Sequence, residues 1–129
     1  MTTELTYLAL VATLTALMWI PYILNMILVR GVLAAVGYPE DPAPLSPWAA
    51  RMKAAHANAV ENLAVFAALV LIAHAAGVGN AATVMACQVY LWARIVHLLS
   101  YTTKIPWIRT ISFVVGFACQ ITLAVQILV

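Results

Sequence analysis

Charge is what this chain has least of. Asp, Glu, Lys and Arg make up only 8% of its 129 residues, about a third of the share usual in soluble domains. Hydrophobic residues make up 66%, against about 45–50% in such domains. A soluble domain this small keeps much of its chain at the surface, and six basic with four acidic side chains cannot cover it. A water-soluble globular fold is therefore excluded. The net charge of +2 is too small for a basic nucleic-acid-binding surface. Cysteine is scarce too: Cys87 and Cys119 both lie in apolar runs, without a CxxC or a Cys/His metal spacing, and read as small hydrophobes. Internal repeats, low-complexity tracts, a P-loop and a GxSxG motif are absent. The chain is too short for two domains, so the open question is how often it crosses a bilayer.

A hydrocarbon core of about 30 Å needs roughly 20 apolar helical residues, and four such stretches are present. They run over about 5–29, 48–76, 81–101 and 107–129. The first contains Pro21 and Asn25, both tolerated in a membrane helix that has neighbours. Turn chemistry separates the spans at Gly37–Pro44, at Gly77–Asn80 and at Lys104–Pro106. The expected fold class is all-α: an integral membrane four-helix bundle forming a single domain. All six basic residues (Arg30, Arg51, Lys53, Arg94, Lys104, Arg109) fall in or near the first and third loops. The positive-inside rule then puts those loops in the cytoplasm and both termini on the other side. Glu4 and the length of the first apolar run argue for a retained helix over a signal peptide.

Ionisable groups inside membrane spans are costly and by default mark a function or a structural pair. At 100° per residue, Arg51, Asn58 and Asn62 share an arc of about 40° on the second helix, with Glu61 about 60° further round and His56 pointing elsewhere. Tyr90, Arg94, His97 and Tyr101 share an arc of roughly 60° on the third. Both stripes lie at the cytoplasmic ends of their helices, where Arg109 enters from the fourth. One reading is a polar ligand pocket suited to a small, net-anionic zwitterion. The other is structural, with Glu61 and Arg94 as a buried ion pair, Asn58 and Asn62 bonding between helices and the tyrosines anchored at the interface.

The segment Arg51-Met-Lys-Ala-Ala-His56-Ala-Asn58-Ala-Val-Glu61-Asn62 resembles the second-helix signature of the MAPEG family, membrane-associated proteins in eicosanoid and glutathione metabolism. Ala93-Arg94-Ile-Val-His97-Leu-Leu-Ser-Tyr101, continuing to Lys104 and Arg109, resembles its third helix and following loop, in the manner of bacterial-type members. The resemblance implies a homotrimer in membrane lipid that binds glutathione between subunits. It also implies use of that thiol as a transferase or peroxidase on lipophilic electrophiles. Asn58 and Glu61 would then hold the glutathione backbone, Arg94, His97 and Tyr101 would line the pocket, and Arg109 would favour the thiolate. This chain has Ala54 and Ala57 where glutathione-using members often carry arginines, and Phe113 where some have a tyrosine. Arg51 and Lys53 are the replacement cations, although Lys53 is rotated away from the Asn58 face. The alternative is a non-catalytic membrane protein that keeps the fold for oligomerisation or lipid binding. A small transporter is weaker, because one polar cluster at one end gives no continuous polar path across the bilayer.

Other polar residues have simpler readings. His74 is expected at the interface or in helix packing, while Trp48, Trp92 and Trp107 are expected as interface anchors. Trp19 is expected to pack inside the bundle, and Gln120 and Gln126 to hydrogen-bond between subunits.

Overall fold

A computed structural model describes residues 1–129. It is all helical, with α1 at Thr3–Leu17, α2 at Trp19–Arg30, α3 at Val32–Val36, α4 at Pro47–Ala75, α5 at Ala81–Thr102 and α6 at Pro106–Leu128. Four stretches are long and apolar enough to cross a membrane: Thr3–Arg30, Pro47–Ala75, Ala81–Thr102 and Pro106–Leu128. The chain is a multi-pass membrane protein.

The first stretch is two helices instead of one, and Pro21 supplies the reason. Lacking an N–H, it cannot bond back to the Leu17 carbonyl. The ladder closes locally through Met18, whose N–H bonds to Thr15 O at 3.4 Å. Thr13 and Thr15 also donate their hydroxyls to Ala9 O and Val11 O at 2.8 Å, contacts that tend to bend a helix. Trp19 is 48% exposed, so the helices of its own chain do not supply the packing expected for it. Its indole lies on the outer face of α2.

Each later helix starts on a local signal. Pro47 and Pro106 open α4 and α6, where a missing N–H costs nothing. Asn80 caps α5 by accepting from Ala82 N and Thr83 N, and Thr83 Oγ1 accepts in return from Asn80 N. Between α5 and α6 the chain turns through Lys104 at φ 63°.

The main core joins α1, α4, α5 and α6. Phe66 and Tyr90 stack at its centre with ring centroids 3.8 Å apart and planes 9° from parallel, walled by Val11, Val70, Cys87 and Leu123. Without a hydrophobic drive between helices in lipid, close van der Waals contact of this kind holds the bundle. A smaller cluster of Met18, Ala55 and Ala59 packs against Leu98 and Tyr101 nearer the other end.

Loop one is pinned to the bundle by Asn25, which donates Nδ2 to Ser46 Oγ at 2.8 Å and accepts from Ser46 N at 3.0 Å. Arg30 Nε adds a bond to Ala43 O at 2.7 Å. The short α3, absent from the sequence expectation, follows Gly31, whose φ of 81° makes the turn. We predict that Asn25→Ala lowers stability by about 1 kcal/mol and speeds limited proteolysis within 37–46. An unchanged cleavage rate would contradict the pinning role.

Candidate functional site

Helices α4, α5 and α6 converge at the end of the bundle that carries the basic residues. Arg94, 5% exposed, donates Nη2 to Asn58 Oδ1 at 2.8 Å and more weakly to His97 Nδ1 at 3.4 Å. Because a guanidinium only donates, His97 Nδ1 is the acceptor in this contact. Asn62 Nδ2 reaches the Asn58 carbonyl at 2.9 Å, and Gln120 Nε2 reaches the Asn62 carbonyl at 3.2 Å. Arg94 therefore sits in a chain of amides that ties three helices together.

The Glu61–Arg94 ion pair of the structural reading does not form. Glu61 is exposed on the outer side of α4, so Asn58 takes the guanidinium in its place. None of the four acids reaches Arg94: Glu4 accepts from Thr83 Oγ1 at 2.7 Å, and Glu40 and Asp41 are exposed in loop one. A buried cation held only by neutral groups keeps an uncompensated charge. That charge favours an anion nearby.

Tyr101 and Arg109 form the next layer. The Arg109 guanidinium lies 5.0 Å from the centre of the Tyr101 ring, a cation–π distance. His97 meets Tyr101 edge-on at 5.6 Å and Phe113 at 6.2 Å. Two hollows flank this pair. One, of about 280 Å³, is lined by Asn58, His97, Tyr101, Arg109, Thr110 and Phe113. The other, of about 270 Å³, is lined by Arg51, Ser100, Tyr101, Lys104, Arg109 and the Ile105-Pro106 turn. Arg51 reaches it from α4 and is fixed by a 3.0 Å bond from Nε to Thr102 O.

The structure thus brings Asn58, Arg94, His97, Tyr101 and Arg109 together, with Arg51 beside them. It leaves Glu61 outside, on the exposed α4 face that also carries Lys53, Ala54 and Ala57. Lys104, Ser100 and Thr110 join the site from positions that no helical stripe marks. His56 is turned away and bonds Tyr22 Oη at 2.6 Å. Gln120 and Gln126 find partners within the chain, Asn62 O and Asn80 Nδ2, where bonds between subunits were expected. At the far end, a hollow of about 290 Å³ has Glu4 and His74 in its lining and no Lys or Arg.

Fold and site together define a multi-pass α-helical membrane protein with a cation-lined pocket at one end of its bundle. The chain belongs to the MAPEG family, whose model matches residues 7–129. It is similar to human microsomal glutathione S-transferase 1, at 29% identity over 79 residues, covering 60% of this chain and 51% of that protein. The mouse microsomal glutathione S-transferase 1 matches to the same extent. The chain spans about half the length of these curated relatives. No solved structure matches.

A double-mutant cycle of Asn58→Ala with Arg94→Met should give a coupling of about 1 kcal/mol in thermal unfolding. A coupling near zero would show that the two side chains do not hold each other.

Proposed function

We propose that this protein binds glutathione in the paired hollows around Tyr101 and Arg109 and directs it at lipophilic electrophiles or peroxides dissolved in the bilayer. One observation carries the reading: Arg51, Lys104 and Arg109 line these hollows without a single acidic side chain, and buried Arg94 lies behind them, bonded to the lining Asn58. Glutathione has two carboxylates, one ammonium and a thiol, so cations complement its net charge. The two hollows share Tyr101 and Arg109 and together reach the size range of small-molecule sites, about 300–1,000 Å³. The similarity to microsomal glutathione S-transferase 1 supports the choice of thiol.

When bound, glutathione supplies the nucleophilic sulfur. Arg51 and Lys104 hold carboxylate, Asn58 and His97 supply hydrogen-bonding groups, and Arg109 favours thiolate over thiol. Tyr101 keeps Arg109 in place through its ring.

Glu61 enters the site only if a second copy packs on α4, where Lys53, Ala54, Ala57, Glu61, Ala64 and Ala68 form an exposed stripe. Small residues at this spacing let helices approach closely in lipid, which supports a homotrimer with Glu61 at the boundary. In the bilayer, the cationic end faces the cytoplasm with loops one and three, and both termini lie opposite. The same stripe favours a second reading, a non-catalytic membrane protein that uses the fold for assembly or lipid binding, because Ala54 and Ala57 leave it without further cations.

Purified protein should bind glutathione by calorimetry and conjugate it to chlorodinitrobenzene. Arg109→Ala should weaken binding about 10- to 100-fold, the effect of losing a charged hydrogen bond. Absence of binding at millimolar glutathione would rule the proposal out in favour of the non-catalytic reading.

A further inference from the structure

A second, largely apolar feature lies on the outer side of the α5–α6 hairpin, turned away from the cationic pocket. Two hollows of about 290 and 270 Å³ share Val89 and Val115 and so form one groove along the hairpin. It runs from Ala82 to Val96 on α5, about 21 Å at 1.5 Å per residue. Its floor includes Ala86 and Ala93, both buried. Ser112, a polar group in the half nearer the turn, is already committed through its hydroxyl to Arg109 O at 2.9 Å.

Trp92 at 63% exposure, Met85 and Ile111 are the most exposed of the large apolar side chains lining the groove. It opens on the outer face of the hairpin, where the hydrocarbon of the bilayer brings acyl chains against it. Self-association has a surface of small residues in the alanine-rich stripe of α4.

Charge narrows the occupant. The groove leads towards the turn joining its two walls, and that turn carries Lys104, exposed at φ 63°. From Asn62 to the C-terminus the chain has no acidic residue, and its cations there are Arg94, Lys104 and Arg109. A chain lying in the groove with its polar end at this turn therefore meets positive charge only. Exposed Trp107, three residues beyond Lys104, adds an amphipathic ring at the same level.

We propose that the α5–α6 groove holds one acyl chain of an anionic phospholipid, with its phosphate at the Lys104 turn. The groove shares no lining residue with the glutathione pocket, and the two sites meet only at Lys104, whose side chain also lines that pocket. The lipid fills the groove between the two helices that carry Arg94, Tyr101 and Arg109.

The test is native mass spectrometry of the full-length protein released from vesicles of equal parts phosphatidylglycerol and phosphatidylcholine. The wild type should retain one phosphatidylglycerol per chain in preference to phosphatidylcholine. Val115→Trp, placed where the two hollows meet, should reduce retention at least about tenfold, and Val96→Trp should block the end nearer the turn. Val114→Trp, at a more exposed position outside the groove, should retain lipid. Lys104→Glu should cut the preference for phosphatidylglycerol by about fivefold or more, the effect of a basic side chain at an anionic surface. Equal retention by Val115→Trp and wild type, or equal affinity for both lipids, would overturn the proposal. So would loss of the oligomer in Val115→Trp with lipid retention unchanged, which would place a second copy of the chain in the groove.

Discussion

A guanidinium buried between membrane helices must be held, and Asn58 holds this one. The Arg94 Nη2 to Asn58 Oδ1 bond, 2.8 Å long, fixes α5 against α4 at the level where both helices turn polar. Asn62 and Gln120 extend the tie to α6 through backbone carbonyls. An amide satisfies a donor of the guanidinium but leaves its charge in place. A carboxylate would have cancelled it, and the hollows beside Tyr101 would have lost much of their pull on anions. Structural cohesion and the positive charge offered to the proposed ligand thus rest on the same contact.

The α5–α6 hairpin separates two environments by a rotation of one residue. Ala93 faces the apolar groove while Arg94 faces the amide chain, and Ser112 lines the groove while Phe113 lines the pocket. The cationic chemistry sits on the inner side of the hairpin, at one end of the bundle. The outer groove is lined mostly by apolar side chains, suited to lipid. In the proposed function, a lipophilic reactant approaches through the bilayer and the charged thiol from water, and the two meet where α4, α5 and α6 converge.

The all-α architecture was legible because run length and hydropathy are local properties, and a 30 Å hydrocarbon core sets the length they must reach. The stripe carrying Arg94, His97 and Tyr101 was legible because 100° per residue fixes which side chains share a helix face. The rotation of one helix against another is not local, and the misread contacts trace to it. Asn58 and Glu61 lie about 60° apart on α4, and only packing decides that the amide meets Arg94. Gln120 and Gln126 carry no mark that separates a partner within the chain from one outside it. Lys104 served in the sequence as a topological charge, and its place in the pocket follows from a left-handed turn that spacing does not reveal. The break at Met18 had its cause in view at Pro21, but the outward turn of Trp19 depends on the direction of the bend.

The central claim is that an anionic thiol peptide sits against the uncompensated cations between α4, α5 and α6. The most direct measurement is a structure of the protein in lipid at saturating glutathione, compared with one without it. The account predicts added density between Asn58 and Arg109 in contact with Tyr101, with the α4 stripe of a second copy close enough to bring Glu61 to it. Density elsewhere, or a pocket unchanged by the thiol, would contradict it.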